Sequence, residues 1–195
     1  MAEVQSTFTL RPGDAAPEFQ LPAPDGTVHD LHGVRGHDGL LVVFACNHCP
    51  FVVHLAEALG SLAAEIEAEG VNTIAISSND IEKYPQDAPD KMLTFAAQHG
   101  WDFPYLFDES QDVAKAYGAA CTPDFFLFDR ELRLYYAGQF DSSRPKSGQL
   151  PTGDDLRAAV KSMLAGEEAP QRPFPSSGCN IKWKPDNAPA WFPQA

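Results

Sequence analysis

Apolar residues along the chain form segments of two kinds, and the two kinds alternate. An unbroken apolar run at 40–45 and a segment rich in β-branched residues at 71–77 are typical of buried strands of a parallel sheet. Between these two segments, apolar residues at helical spacing over 47–69 predict an amphipathic helix. The order predicts an α/β fold with a central mixed β-sheet flanked by helices on both faces. The same patterns predict further helices over 89–99, 111–117 and 152–164, the last capped by Thr152, and further strands over 103–107, 125–128 and 132–137.

The two ends of the chain depart from this alternation. Residues 12–32 predict an N-terminal β-hairpin extension, because strand-like alternation flanks a Pro-Asp-Gly turn at 24–26. Residues 166–195 contain six of the 17 prolines and two of the three tryptophans. We therefore predict one domain over 1–165, with the hairpin extension at its start, and a Pro-rich extended tail over 166–195 packed on that domain.

Composition narrows the classes of function. The formal net charge of −13 argues against a nucleic acid or an anionic membrane as a partner, because both require a basic surface. We find no apolar run of signal-peptide or membrane-span length, which predicts a cytoplasmic location. Four cysteines are too few for a disulfide scaffold at this length. Each cysteine therefore has to be interpreted from its position.

Two of these cysteines, Cys46 and Cys49, lie where the first apolar strand ends and the long helix begins. A thiol at a helix start is stabilised as a thiolate by the helix dipole and by unpaired backbone N–H groups. Taking Cys46 as the N-cap, we predict that Cys46 is the attacking thiolate and that Cys49 resolves the mixed disulfide. A protonated His48 between them lowers the pKa of Cys46 further in this interpretation.

Other uses of a close cysteine pair stay open. A C-x-x-C pair can supply two of the four ligands of a structural zinc site. Cys121 and Cys179 stand alone and supply no second close pair of ligands, so we predict no metal. The two thiols could also be inert and buried. Copper delivery is a further alternative, because soft thiolates select Cu(I).

Several segments of the chain match patterns of a known family: Gly13–Leu21 with Asp25-Gly26, Cys46-Asn47-His48-Cys49-Pro50, Val113–Gly118 and Thr122-Pro123. With these segments the sequence resembles the thioredoxin-like superfamily, and within it the peroxiredoxin-like branch (alkyl hydroperoxide reductase/thiol-specific antioxidant, or redoxin) with a C-x-x-C motif. The tail Ser177–Pro185 resembles that of a bacterial subgroup of peroxiredoxin-like proteins. The resemblance implies that Pro123 is a cis proline facing the dithiol, and that the backbone of Thr122 pairs with a substrate chain.

The sequence departs from both parent patterns near the cysteines. Leu40 stands where thioredoxins have a buried acid six residues before the first cysteine. When Cys49 is aligned with the peroxidatic cysteine, Cys46 occupies the position of the threonine or serine that would orient a peroxide. We expect the acidic loop over 80–90 to be solvated. Cys121 and Cys179 are each either an additional redox thiol or a packed apolar side chain.

These observations predict a cytoplasmic thiol-disulfide oxidoreductase that uses the Cys46–Cys49 dithiol and needs no cofactor. A thiol-dependent peroxidase is the nearest alternative, and a copper- or metal-binding protein of the same fold is a second. The predicted partners are a protein or small-molecule disulfide, or a hydroperoxide, together with a thiol reductant such as a thioredoxin or glutathione system.

Overall fold

The protein is described by a computed structural model that covers residues 3–171 and 173–192. The predicted domain starts at residue 1 and the predicted tail ends at residue 195, and both predictions include residues outside the described ranges. The helices are α1 (Leu31–Val34), α2 (Pro50–Glu67), α3 (Pro89–His99), α4 (Asp112–Tyr117) and α5 (Asp154–Leu164), with a 3-10 turn at Pro85–Asp87. The strands are β1 (Glu3–Gln5), β2 (Gln20–Pro22), β3 (Val28–Asp30), β4 (Gly39–Phe44), β5 (Val71–Ser77), β6 (Tyr105–Phe107), β7 (Cys121–Thr122), β8 (Asp124–Asp129), β9 (Leu134–Gly138) and β10 (Ser177–Asn180).

A five-stranded mixed sheet in the order β6-β5-β4-β8-β9 forms the centre of the fold. β4 runs parallel to β5 and antiparallel to β8, and all six of its residues are buried. Its side chains alternate between two apolar clusters, with Leu41 and Val43 in one and Leu40 and Val42 in the other. The first cluster includes residues of α2, α3 and α5, and the second includes residues of α1 and α4. The predicted mixed sheet with helices on both faces is therefore confirmed.

The starts of two helices differ from the prediction. The long helix begins at Pro50, not near residue 47, because Cys49 adopts φ −71° and ψ 122°. A residue before proline avoids the helical region, and proline suits the first helical position, so the chain turns helical only at Pro50. In α5 the N-cap is Gly153 at φ 72°, not Thr152. The Asp141 carboxylate accepts hydrogen bonds from the backbone N–H groups of Thr152 and Gly153 and holds this turn.

The tail contributes a strand that the sequence patterns do not indicate. β10 pairs antiparallel with both β1 and β7 and so builds a second, three-stranded sheet at the end of the molecule. The hairpin extension is present as the antiparallel pair of β2 and β3. The domain boundary at 165/166 stays a prediction. Within the described part of the chain, no helix combines the length and apolarity needed to cross a bilayer.

Candidate active site

Cys46 and Cys49 lie on the loop between the central strand β4 and the helix α2. Cys46 precedes the helix by several residues, and Cys49 is its N-cap, so the sequence-based assignment of the cap to Cys46 is wrong. Both thiols are reduced, and their residues are 1% and 0% exposed. A substrate disulfide therefore reaches them only after the chain that covers them moves.

Thr122, which precedes Pro123, contacts both thiols. The Thr122–Pro123 peptide bond is cis, as the family resemblance implies. The hydroxyl oxygen of Thr122 lies 3.4 Å from the sulfur of Cys46, and the Cys49 thiol donates to the carbonyl oxygen of Thr122 at 3.0 Å. The structure thus brings together four residues that the sequence predicted for the site, from segments more than 70 positions apart.

A buried carboxylate holds the loop between the two cysteines. Asp87 is 0% exposed, and its oxygens accept hydrogen bonds from the backbone N–H of Asn47 at 2.9 Å and of His48 at 3.3 Å. They also accept from the amide of Asn79 at 2.8 Å. The expectation of a solvated acidic loop is wrong for this residue and for Asp80, which is also buried. The available signal was that Asp87 follows β5, whose carboxyl end borders the site.

His48 is fixed by the same carboxylate. Its Nδ1 atom lies 2.6 Å from an oxygen of Asp87, and its ring stacks on Tyr84 with centroids 5.4 Å apart. A ring nitrogen of His48, an oxygen of Asp87 and the sulfur of Cys46 all lie within 4.8 Å of one another. The Nε2 atom is buried and has no hydrogen-bond partner among the described residues. The imidazole is therefore held beside Cys46, as predicted, with one free ring nitrogen.

The surroundings shift the pKa values of the two thiols of the pair in opposite directions. Hydrogen bonding to Cys49, burial and the nearby Asp87 charge raise the pKa of Cys46 well above its usual value. The hydrogen bond from Cys46, together with contacts from Cys179 and the backbone N–H of Val52, lowers the pKa of Cys49 to about 5 against the opposing effect of burial. These directions favour the anion at Cys49 and not at Cys46, where the sequence predicts it; which of the two thiols is the nucleophile stays a prediction. The helix start favours the anion at its actual cap, which is Cys49.

Ionisation of Cys49 exchanges one set of hydrogen bonds for another. The protonated thiol donates to the Thr122 carbonyl, and a thiolate at that position loses this bond. It then accepts from the thiols of Cys46 and Cys179 and from the backbone N–H groups of Val52 and Cys179. These donors outweigh the one lost acceptor, so the pKa of Cys49 is lowered although the sulfur is buried.

The remaining cysteines differ in their relation to this pair. The Cys121 thiol donates to the carbonyl of Pro123 at 3.4 Å, and burial raises the pKa of Cys121 well above its usual value. Cys179 lies opposite Thr122 in the β10–β7 ladder. Burial and the neighbouring Cys49 raise the pKa of Cys179 to about 12. These contacts indicate a packing role for Cys121 and place Cys179 at the dithiol.

Among residues 3–171 and 173–192, the cluster that could hold a metal ion consists of Cys46, His48 and Asp87, whose sulfur, nitrogen and oxygen atoms lie within 4.8 Å of one another. The oxygens of Asp87 already accept hydrogen bonds from two backbone N–H groups and the Asn79 amide, and one of them pairs with the imidazole. Metal binding would break several of these bonds. The hydrogen bonds of Asp87 therefore fit a carboxylate that positions the loop better than one that binds a metal.

Comparison with known proteins identifies the family. The sequence profile named Redoxin matches residues 11–151, which is most of the chain and includes both cysteines of the pair and the cis proline. The chain belongs to the Redoxin family. It is an oxidoreductase with a thioredoxin-like fold, and Cys179 and β10 lie outside the part that the Redoxin profile matches.

Individual relatives agree with this redoxin assignment. A crystal structure of an uncharacterised conserved protein from Geobacillus kaustophilus superposes with a TM-score of 0.91 at 47% identity, covering 95% of this chain and 98% of that one. Peroxiredoxin Bcp of Escherichia coli is 29% identical over 56% of this chain and 65% of its own. Thiol-disulfide oxidoreductase ResA of Halalkalibacterium halodurans is 27% identical over 61% of this chain and 63% of its own. The chain thus spans somewhat less than two thirds of these two named relatives.

Proposed function

We propose that this redoxin exchanges disulfides through the Cys46–Cys49 dithiol, with Cys49 as the attacking thiolate and Cys46 as the resolving thiol. The observation that carries the proposal is the position of Cys49 as the N-cap of α2, in the same buried cluster as Cys46 and Cys179. A thiolate is the nucleophile in thiol–disulfide exchange, and a second thiol beside it releases the captured partner. This assignment exchanges the roles that the sequence predicted for the two cysteines.

The reaction proceeds in two displacements. The Cys49 thiolate attacks one sulfur of a substrate disulfide, forms a mixed disulfide and releases the first substrate thiolate. Cys46 then loses its proton and attacks the Cys49 sulfur, which releases the second substrate thiolate and leaves a Cys46–Cys49 disulfide. Two electrons pass from the protein to the substrate, and an external thiol reductant returns them.

His48 is the group that we propose takes the proton from Cys46. One ring nitrogen is bound to Asp87, which orients the imidazole, and the other has no hydrogen-bond partner among residues 3–171 and 173–192. A carboxylate that binds one ring nitrogen favours the tautomer whose other nitrogen accepts a proton. Asp87 acts as a positioning residue in this scheme, since its hydrogen bonds are to the loop and not to a thiol.

Peroxide reduction is a second candidate function, and the thiolate at Cys49 favours it. Cys49 is the cysteine that aligns with the peroxidatic position in the resemblance to peroxiredoxins, and Peroxiredoxin Bcp is among the named relatives. In that reaction the Cys49 thiolate displaces an alcohol or water from the hydroperoxide and becomes a sulfenic acid. Cys46 then attacks the sulfenic acid, water leaves, and the same Cys46–Cys49 disulfide forms.

A comparison of oxidants distinguishes disulfide exchange from peroxide reduction. The fully reduced protein is mixed in separate reactions with oxidised glutathione, insulin and hydrogen peroxide, and the rate of disulfide formation between Cys46 and Cys49 is followed by mass spectrometry. We expect the disulfide substrates to be consumed faster at equal concentration. If Cys46–Cys49 disulfide formation is at least tenfold faster with hydrogen peroxide than with either disulfide, the peroxidase function is assigned instead.

The Cys49→Ser variant is the control for this experiment, because it keeps the fold and removes the proposed nucleophile. Failure of the wild-type protein to form a Cys46–Cys49 disulfide with any of the three oxidants would overturn the proposal. The partners are, in this proposal, a disulfide or hydroperoxide and a cellular thiol reductant. The cytoplasmic location stays a prediction from the sequence.

A further inference from the structure

The backbone edge of Thr122 is already occupied by the protein's own tail. The family resemblance implies that this edge pairs with a substrate chain beside the dithiol. In the structure β10 pairs there, with Cys179 opposite Thr122 and Asn180 opposite Cys121. A further hydrogen bond from the N–H of Ile181 to the carbonyl of Ala120 extends the ladder. The tail therefore lies where a substrate strand would bind, with a cysteine at the position next to the pair.

β10 fits closely enough to fix the Cys179 thiol in place. A Cβ added at Gly178 would lie 2.1 Å from the carbonyl oxygen of Thr122, so only glycine allows this approach. On its other edge β10 pairs with β1, where Glu3 lies opposite Cys179. Cys179 is 5% exposed and belongs to the same apolar cluster as Cys46 and Cys49. The residue opposite it, Thr122, is the one whose carbonyl oxygen accepts from the Cys49 thiol at 3.0 Å.

The tail is also tied to the loop that holds His48. The amide of Asn79 donates to Asp87 at 2.8 Å, and its oxygen accepts from the backbone N–H of Lys182 at 2.8 Å. The N–H of Asp80 donates to the Lys182 carbonyl at 2.8 Å. The chain just beyond β10 is thus anchored to the active-site loop, which keeps Cys179 at the dithiol between reactions.

We propose that β10 is a tethered substrate strand and that Cys179 is a second resolving thiol, which forms a disulfide with Cys49. The inference rests on the proposed function, because it requires Cys49 to capture a partner first. With a disulfide oxidant, Cys49 forms the mixed disulfide and releases one thiolate. The Cys179 thiol gives its proton to that thiolate and attacks the Cys49 sulfur, which releases the second thiolate. Cys46 can then attack the same sulfur and return Cys179 to the thiol.

The order of steps follows from the charges around Cys49. Burial raises the pKa of Cys179 most, and the hydrogen bond and charge of a Cys49 thiolate raise it further, which keeps Cys179 protonated. In the mixed disulfide this charge is gone, so deprotonation of Cys179 becomes easier. Cys179 is therefore activated by the capture of a substrate. Cys46 is subject to the same control, since Cys49 also raises the pKa of Cys46.

Disulfide mapping in a Cys46→Ser variant tests the inference. Cleavage after lysine and arginine places Cys46 and Cys49 on one peptide, and Cys121 and Cys179 each on a separate one. The reduced variant is mixed with one equivalent of oxidised glutathione and then acid-quenched, alkylated and digested. We expect a Cys49–Cys179 linked peptide and release of two glutathione molecules per protein. Persistent glutathione on Cys49 without this linkage would overturn the inference.

Three variants separate the possible failures. Cys46→Ser/Cys179→Ser retains the glutathione on Cys49, whereas Cys46→Ser/Cys121→Ala still forms the Cys49–Cys179 linkage. Cys46→Ser/Gly178→Ala keeps the thiol but displaces β10, and we expect linkage to slow by about tenfold or more. An unchanged rate in the Gly178 variant would contradict the tethered-strand geometry. If Cys49 takes up no glutathione in any variant, the proposed function itself fails.

Discussion

Cys46 and Cys49 are separated by two residues and are equally buried, yet their surroundings differ in kind. Cys46 lies beside the carboxylate of Asp87 and the imidazole of His48, in a network of ionisable groups anchored to the loop after β5. Cys49 caps α2 and is surrounded by backbone groups and two other thiols. In the proposed mechanism, Cys46 is therefore placed for proton transfer to His48, and Cys49 is placed for ionisation.

In the proposed mechanism, position in a C-x-x-C motif does not by itself assign the nucleophile. Cys49 is the residue that precedes α2, because Pro50 suits the first helical position, and its side chain accepts no capping hydrogen bond while it is a thiol. A negative charge near Cys46 opposes its ionisation, while neighbouring thiols assist that of Cys49. The following predictions test this contrast between the two cysteines, from the largest expected effect to the smallest.

Replacement of Cys49 has the largest effect in this view. We expect Cys49→Ser to lose disulfide exchange by roughly 10³-fold or more, because no thiolate remains to attack. Cys46→Ser should still take up one glutathione at Cys49 in a single turnover. Stopped-flow measurement of glutathione release distinguishes the two variants. Retained attack in Cys49→Ser together with none in Cys46→Ser would restore the roles predicted from the sequence.

Removal of the Asp87 carboxylate should destabilise the loop that contains Cys46 and His48. In Asp87→Ala, the N–H groups of Asn47 and His48 and the amide of Asn79 lose their buried acceptor. We expect the free energy of unfolding to fall by about 3–5 kcal/mol. Urea denaturation measures this change. Asp87→Asn, which keeps one acceptor oxygen, is the matched control and should lose less than half as much.

The pH dependence should follow Cys49 and depend on its neighbour. Because the pKa of Cys49 is lowered to about 5, the thiolate fraction and the rate of attack should rise as the pH passes through about 5 and be constant near neutrality. Cys46→Ala removes the main donor, so the midpoint should move upward by about 1–2 pH units. Cys46→Ser keeps a donor and should shift less. Thiolate absorbance, taken as the difference from Cys49→Ser, measures all three midpoints.

Much of the fold could be predicted from the sequence because its elements depend on local patterns. β5 and α3 begin and end at the predicted residues, since buried β-branched runs and the Pro89 and Gly100 boundaries are local signals. β10 could not be predicted in this way. Ser177–Asn180 contains no long apolar run, and it is a strand only because β1 and β7 lie on either side of it.

The candidate site shows the same division between local and distant information. The positions of Cys46, Cys49 and the cis Pro123 follow from short motifs and a family resemblance. Asp87 was taken for a solvated residue because its burial depends on a loop that folds back over the cysteines, and no spacing in the sequence records that contact. Cys179 was left between two roles, since its place opposite Thr122 is a property of strand register.

Cys121 provides the smallest expected effect and the sharpest control for the contrast. It is buried on the strand next to Cys179, but its thiol donates to the Pro123 carbonyl, so it has no part in the hydrogen bonds that stabilise the Cys49 anion. We expect Cys121→Ala to lower the free energy of unfolding by about 1 kcal/mol through lost packing, and to leave the exchange rate and the Cys49 midpoint unchanged. Urea denaturation and the glutathione assay measure both. A shifted Cys49 midpoint in this variant would show that Cys49 ionisation depends on the whole buried cluster around the sulfur and not on the groups that donate hydrogen bonds to it.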